Sequence, residues 1–363
     1  MIVDTVRKFF TKSVPYMVGI DIGSHSVKAV LLSEQHGMFR MEAAVIEPMP
    51  KGLIKDREIQ DIEAVSRIVA KIRKHISKQV KHAAVAISGA SVITKVIYMD
   101  VSLSDSELES QIEIEADSLI PYPLDEVSLD FEKLTVNKAD PSKVDVLLSA
   151  ARTENIEVRS HAVLDGGFEP KVMDVESYAL CRAGKLCIGQ LPDDAEDKVV
   201  AFVDVGAQIT LISIVQGDKS LYTRDQVFGG EQFTNAIVNY YGKSFEESEA
   251  AKIGGQLPPN YTFEVLAPFQ TALLQQIRRS IQMFLNTSEK ENVDYIVLSG
   301  GTALIKGLDR LLIDELGIHT VVASPLSEME IAAELDNEEV EHIQPQLMIA
   351  TGLALRSFSE CHI

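Results

Sequence analysis

Apolar residues fall along this chain in short blocks separated by turns of small polar residues, and two of the blocks share one grammar. Residues 17–32 read M-V-G-I-D-I-G-S-H-S-V-K-A-V-L-L, which predicts a buried strand, a tight turn and a second strand. Asp21 closes the first strand, Gly23 permits the turn, and Ser24, His25 and Ser26 offer consecutive backbone N–H groups where an anion could sit. Residues 199–214, V-V-A-F-V-D-V-G-A-Q-I-T-L-I-S-I, repeat the pattern, with Asp204, Gly206 and Thr210 at the offsets of Asp21, Gly23 and Val27. Each hairpin opens a half-chain of similar length, so the pattern predicts a duplicated architecture. A third strand, residues 295–299, runs into Gly300-Gly301-Thr302 and then a helix with Leu304, Leu308, Leu311 and Leu312 on one face. Glycines there let a flat ligand lie close to the backbone.

The remaining periodicity fills in the halves. Residues 37–45 predict a third strand, and Ile59, Ile62, Val65, Ile68, Val69, Ile72 and Ile76 mark one long helix. Residues 85–89 read as the next core strand. Residues 91–168 then alternate as strand, helix (104–119), strand (127–136), strand (144–151) and helix (153–164), an inserted α+β module. The first half resumes at 170–176 and leads into a helix carrying Ala179 and Ala183. A C-terminal helix opened by Pro345 carries Ala350 and Ala354 in the same relation, and small residues at that spacing let two helix backbones approach. The second half predicts three strands to Val227, a Gly229-Gly230 turn, helix to Gly254, a break at Pro258-Pro259 and a long helix over 263–285. The expected organisation is α/β: residues 16–90 with 169–195, an insertion over 91–168, and 196–363 with its last helix returning to the first half.

Composition narrows the classes. The 363 residues with 46% hydrophobic content suffice for two or three domains with real cores. No apolar run approaches the roughly 20 residues that cross a bilayer, and the N-terminus lacks signal-peptide architecture, so a cytoplasmic protein is expected. Cys181, Cys187 and Cys361 form no C-x-x-C pair, which suits reduced thiols, and the eight histidines are too scattered for a zinc site or a Ser/His/Asp triad. The net charge of −20 argues against nucleic acid. Residues 1–15 are the local exception: Ile2, Val3, Val6, Phe9 and Phe10 share one helical arc opposite Arg7, Lys8 and Lys12. Such a basic amphipathic helix suits a membrane surface, a partner or its own domain.

In its three glycine-bearing turns the chain resembles the actin-like ATPase superfamily. Asp21-Ile22-Gly23-Ser24 with Val27-Lys28-Ala29 is similar to the first phosphate motif, Asp204-Val205-Gly206 with Thr210 to the second, and Leu298-Ser299-Gly300-Gly301-Thr302 to the adenosine motif. Within the superfamily the chain most resembles the PilM family of type IV pilus assembly. Phe228-Gly229-Gly230-Glu231, the stretch F-E-E-S-E-A-A-K at 245–252 and residues 347–358 carry that resemblance. FtsA shares the first two approximately but normally continues into a membrane-targeting tail. Actin and the chaperones carry an extra subdomain where this chain has only the short link at 48–56, whereas FtsA and PilM carry an insertion at the later position.

The resemblance implies an actin-like fold of two duplicated α/β halves around a nucleotide cleft, with an FtsA-type insertion and ATP and Mg²⁺ as ligands. Backbone N–H groups of Gly23, Ser24, His25 and Ser26 would face those of Gly206, Ala207 and Gln208 around the phosphates. Lys28 would reach phosphate oxygens, and Asp21 and Asp204 would hold Mg²⁺ through water. Gly230, Lys252, Gly300, Gly301 and Thr302 would line the ribose and base. From the residues alone, Lys28 also suits a solvated strand face, each Asp a turn cap, and Lys252 an i,i+3 pair with Glu249. Glu176, with Asp174 in reserve, matches the group that orients the attacking water. Binding and turnover are separable, since a site holds ATP yet hydrolyses it slowly when that water is poorly held. The function implied is an ATP-binding scaffold at the cytoplasmic face of the inner membrane. It would dock the N-terminal cytoplasmic tail of a bitopic, PilN-like protein between the first half and the insertion, in a nucleotide-linked way. The alternatives are an FtsA-like filament-forming ATPase and a small-molecule kinase of the same fold.

Overall fold

The computed structural model describes residues 16–137, 139–192 and 195–358. The amphipathic segment expected over 1–15 and Cys361 lie outside the described residues.

The first hairpin forms as its pattern dictates. Strand β1 (Met17–Ile22) is buried along its whole length and pairs antiparallel with β2 (Ser26–Gln35), which pairs with β3 (Met38–Pro48). The link that follows contains a small hairpin, β4 (Ile54–Lys55) and β5 (Glu58–Ile59). Ile59 therefore belongs to a strand, and helix α1 spans only Ile62–Arg73, because Asp61 caps it by accepting from Ala64 N–H at 2.9 Å. Strand β6 (His82–Ile87) adds parallel to β1.

Beyond it lies the insertion. Strands β7 (Val92–Asp100), β8 (Val127–Val136) and β9 (Lys143–Arg152) form an antiparallel sheet in the order β7-β9-β8. Helix α2 (Asp105–Leu119) covers one face with Leu108, Ile112 and Ala116 against Val146, Leu148 and Ala150. Helix α3 (Thr153–Asp165) leaves this sheet and lays Ala162 and Val163 into the core of the first half, beside Val65 and Val69 of α1. Strand β10 (Glu169–Val175) then adds parallel to β6, and α4 (Glu176–Ile188) follows it.

The second half repeats the first. Strands β11 (Val199–Val205), β12 (Thr210–Gln216) and β13 (Lys219–Gln226) form an antiparallel meander. Helices α5 (Gly230–Tyr241) and α6 (Phe245–Ile253) are separated by Gly242 at φ 66°, so the single helical stretch expected there is two helices. A π-helical turn at Thr262–Leu266 runs without a break into α7 (Ala267–Thr287), so the long helix expected over 263–285 forms with its first turn widened. Then come β14 (Tyr295–Ser299), α8 (Leu308–Leu316), β15 (His319–Val322), β16 (Glu330–Ile331), α9 (Asn337–Ile343) and α10 (Met348–Ala354). The sheet orders are β3-β2-β1-β6-β10 and β13-β12-β11-β14-β15, each antiparallel on the meander side and parallel on the other, with β16 added beside β3. The turns match too: Gly23 N–H donates to Ser26 O at 3.1 Å, and Gly206 N–H to Ile209 O at 2.9 Å. The duplication read from the two hairpins is thus the topology of both sheets.

Helices α4 and α10 sit between the sheets and share a core with both, with Ala179, Leu180 and Ala183 of α4 and Met348 and Leu353 of α10 packed among Ala84, Ala86, Val200, Phe202 and Val297. Their contact is backbone on backbone. A Cβ at Gly352 would stand 1.8 Å from the carbonyl oxygen of Ala179, and one at Gly19 of β1 would stand 2.1 Å from that of Ala350. Gly352→Ala must push α10 off α4, at an overpacking cost on the order of 3 kcal/mol. Gly189→Ala meets nothing within 4 Å. Thermal unfolding of the two variants should show a clear loss of midpoint for the first and almost none for the second.

Candidate functional site

The C-terminal ends of parallel strands from both sheets converge on one cleft. Asp21 ends β1, Ser88 follows β6, Glu176 follows β10, Asp204 lies near the end of β11 and Gly300 follows β14. In open α/β sheets this is where a ligand meets backbone N–H groups and helix N-termini, at the point where strand order reverses.

Register places Lys28 directly across from Asp21, and its Nζ lies 2.8 Å from Asp21 Oδ2. Burial works against the ammonium, but Asp21, with Asp204 and Glu176 farther off, outweighs it and holds the Lys28 pKa above its ordinary value. Lys28 is therefore a fixed positive charge beneath the first turn rather than a solvated strand residue. Asp204 accepts from Ser299 Oγ at 2.8 Å. Loss of solvent pushes Asp204 up to about 6, with Asp21 adding to the rise and Ser299 and Lys28 opposing it. Glu176 is pushed up to about 7, first by burial and then by the charges of Asp21, Asp225 and Asp204, against the pull of Arg159. Asp21, Lys28, Asp204 and Glu176 thus form one electrostatic unit across the two halves.

The rest of the expected ligand surface assembles around Gly206. Gly230 N–H donates to Gly206 O at 2.9 Å, Glu231 N–H to Ala207 O at 2.8 Å, and Thr302 Oγ1 to Gly206 O at 3.3 Å. Gly300, at φ 86°, lets β14 pass Val205, whose carbonyl oxygen would be 2.4 Å from a Cβ there. Lys252 Nζ donates to Glu249 Oε2 at 2.7 Å and to Thr234 Oγ1 at 2.8 Å, so the i,i+3 pair forms. The same ammonium lies 3.8 Å from the position of a Cβ on Gly230, while Thr302 Oγ1 lies 2.8 Å from it. His25, exposed at the tip of the first turn, reaches across to Glu249 with 3.8 Å between Nε2 and Oε1. Burial lowers its pKa despite Glu249, and Lys252 and Lys28 lower it further. Ser24, Ser26, Ala207, Gln208 and Gly301 lie in or beside these turns. Asp174 is elsewhere engaged, 2.9 Å from Arg182 Nη1 and 3.7 Å from Arg356 Nε, so of this pair Glu176 is the carboxyl that faces the cleft.

This donor set fits a magnesium polyphosphate: two small-residue turns, one buried ammonium and two facing carboxylates. Among the described residues no group of three or more His, Cys, Asp or Glu is disposed to hold a metal. Two carboxylates suit an ion that keeps most of its waters and takes further oxygens from phosphate.

Side-chain partners at the rim of the cleft escaped the sequence pattern. The glycine motif gives Ser299 no role as the partner of Asp204, and Asp225, outside the ligand surface, sits in an ordinary polar edge strand. Asp225 Oδ2 accepts from Ser88 Oγ at 2.9 Å and lies 3.2 Å from Arg57 Nη2, both from the other half. Lys51, 3.2 Å from Glu231 and 3.7 Å from the Phe245 ring centroid, adds a second tie across the cleft. A cavity of about 470 Å³ opens between the insertion and the first half, walled by Glu58, Ile59, Ala90, Ser91, Ile93 and Arg159 among others. Among the described residues no helix is long and apolar enough to cross a membrane.

Comparison with known proteins gives these observations a setting. The family described as type IV pilus assembly protein PilM matches residues 19–358. A solved structure of a PilM-PilN type IV pilus biogenesis complex superimposes with a TM-score of 0.79 at 26% identity, covering 95% of this chain and 99% of that one. MreB5 of Spiroplasma citri bound to ADP superimposes with a TM-score of 0.51 at 12% identity over 94% of this chain and 95% of that one, which shows the fold alone. The cell shape-determining protein MreB of Escherichia coli K12 is 27% identical over 214 residues, which is 49% of this chain and 59% of MreB. The match therefore spans about three fifths of that relative's length. The fold is that of the actin-like ATPases, as the three turn motifs imply.

The raised carboxyls make stability depend on pH with a definite sign. Glu176 moves from 4.5 to about 7 on folding and Asp204 from 3.8 to about 6, so between those limits the unfolded chain holds fewer protons and stability falls as pH rises. Glu176→Gln removes the buried charge. Its thermal midpoint should exceed that of the wild type near pH 8 and differ little near pH 5. An equal difference at both pH values would mean that Glu176 does not ionise in this window.

Proposed function

The chain belongs to the family of the type IV pilus assembly protein PilM, and from that premise we propose that it is an ATP-binding scaffold that docks the N-terminal cytoplasmic tail of a bitopic, PilN-like membrane protein in a nucleotide-linked way. The observation that carries the docking is the cavity of about 470 Å³ between the insertion and the first half. Its walls combine apolar Ile59, Ile93, Ile120, Val127 and Val158 with Arg152, Arg159, Glu58 and Glu154. Apolar side pockets with a few charged groups suit an extended peptide, whose main chain bonds and alternate side chains anchor. The partner carries the membrane attachment, so the scaffold works at the cytoplasmic face of the inner membrane.

ATP supplies an anionic polyphosphate that both glycine turns can grip. Lys28 neutralises part of that charge, and Asp21 and Asp204 hold Mg²⁺ through water. Thr302, Gly230 and Lys252 line the nucleoside side. Glu176, whose carboxyl burial pushes up to about 7, is the group that would orient the attacking water.

Titration with a fluorescent ATP analogue and Mg²⁺ should give saturable binding that Asp204→Ala weakens about tenfold or more, roughly 1.4 kcal/mol. Unchanged affinity in the folded variant would remove the metal role. Ala90, exposed on the cavity rim, offers a separate test of docking. Ala90→Trp should fill the cavity and cut the affinity for a synthetic tail peptide at least tenfold with the thermal midpoint unchanged. Equal binding by both proteins would place the tail elsewhere.

A further inference from the structure

Asp225 ends the meander of the second half, yet it is held by the first. Its side chain is 8% exposed, and its Oδ2 accepts from Ser88 Oγ at 2.9 Å and lies 3.2 Å from Arg57 Nη2. Both residues adjoin the cavity wall along the chain, Arg57 by one position and Ser88 by two. Ser88 leads into the turn Gly89–Ser91, where Ala90 and Ser91 line the cavity, and Arg57 leads into Glu58 and Ile59, which line it as well. A third tie closes the arrangement. Arg159, a wall residue on α3 that is 6% exposed, donates from Nη2 to the carbonyl of Arg57 at 3.0 Å.

The small hairpin bearing Arg57 is held in an unusual shape. Asp56 and Arg57 occupy the left-handed region at φ 51° and φ 72°, where a side chain crowds the backbone. Such a turn between paired strands normally uses Asn-Gly, and a non-glycine pair persists only where its surroundings hold it. Here Asp225 holds the Arg57 side chain and Arg159 its carbonyl. Both arginines also keep a buried Nε without a hydrogen-bond partner. Their geometry is thus set by few contacts, and a ligand in the cavity that engages Arg159 acts directly on them.

We propose that Asp225, with Ser88, Arg57 and Arg159, couples the cavity to the cleft. The inference rests on the reading that the tail fills the cavity and the nucleotide fills the cleft. Nucleotide gripped by both turns keeps the halves together, which keeps Asp225 on Ser88 and Arg57 and so holds two walls of the cavity in place. Tail binding braces the same walls and favours the same closed arrangement. Each ligand therefore tightens the other, and by linkage the two factors are equal.

The test measures affinity for the synthetic tail peptide with and without saturating ATP and Mg²⁺, in the wild type, Asp225→Ala and Arg57→Ala. The wild type should bind the peptide roughly fivefold or more tightly with nucleotide, and nucleotide tighter by the same factor with peptide. In either variant the factor should fall to within about twofold of unity, while each ligand alone binds within a few-fold of wild type. If Asp225→Ala does not fold, Arg57→Ala decides the matter alone, since its side chain lies on a partly exposed hairpin. A wild-type factor of one, or a wild-type factor retained in a folded variant, overturns the coupling and leaves the scaffold reading intact. A wild type that binds no peptide overturns that reading, and the coupling with it.

Discussion

The contact on which the rest of this molecule depends is the bare-backbone crossing of α10 over α4 and β1. At Gly352 and Ala179 the two helices are closer than any side chain allows, and at Gly19 the first strand comes equally close to α10. Two sheets of identical order can share one core only if something thin passes between them, and an alanine- and glycine-faced helix pair is thin. With the halves pinned at that depth, the C-terminal ends of β1, β6, β10, β11 and β14 converge on one side. The cleft is a consequence of the crossing. So is its composition, because strand ends carry the turn residues of both hairpins.

Convergence has an electrostatic cost. It buries Glu176 and Asp204 near Asp21, with Lys28 as the nearest ammonium, and loss of solvent first and the neighbouring charges second raise them to about 7 and about 6. Carboxyls in that condition gain from any cation that joins them, since a bound divalent ion lowers the pKa of the groups around it. The fold thus stores a preference for a cation, and the neighbouring N–H-rich turns store one for an anion. A magnesium polyphosphate satisfies both at once, which neither a free metal nor a free phosphate does.

The features legible in the sequence are those encoded locally. Asp21 to Gly23 and Asp204 to Gly206 were readable because strand burial and turn chemistry act within a few residues, and the offsets repeat. The Ala179/Ala183 and Ala350/Ala354 pairs signalled the crossing, although Gly352, which makes the closest approach, carries no distinguishing pattern. Periodicity misled where turn chemistry intervened. Ile59 continues the apolar spacing of α1, but Asp61 caps the helix after it, and the strand pairing of the 54–59 hairpin claims Ile59 instead. The ties between halves were invisible for a different reason. Ser88 and Asp225 are 137 positions apart, and Arg57 and Arg159 are 102; no local rule joins a serine after one strand to an aspartate ending another.

Among the differences between the two hairpins, the one that faces the paired aspartates gives the site its polarity. Asp21 faces Lys28 across the first hairpin, and Asp204 faces Leu211 across the second. Leu211 is buried against α4 and Phe202 in the shared core, a position a lysine could occupy only at a heavy desolvation cost. The equivalent place in the first hairpin opens toward the cleft, where Lys28 keeps its charge because Asp21 and the facing carboxylates surround it. One half therefore supplies the cation and the other presents a carboxyl held by Ser299 alone. The same asymmetry reaches the insertion, since only the first half, the one with the charged turn, sends α3 and the 54–59 hairpin to wall a second cavity.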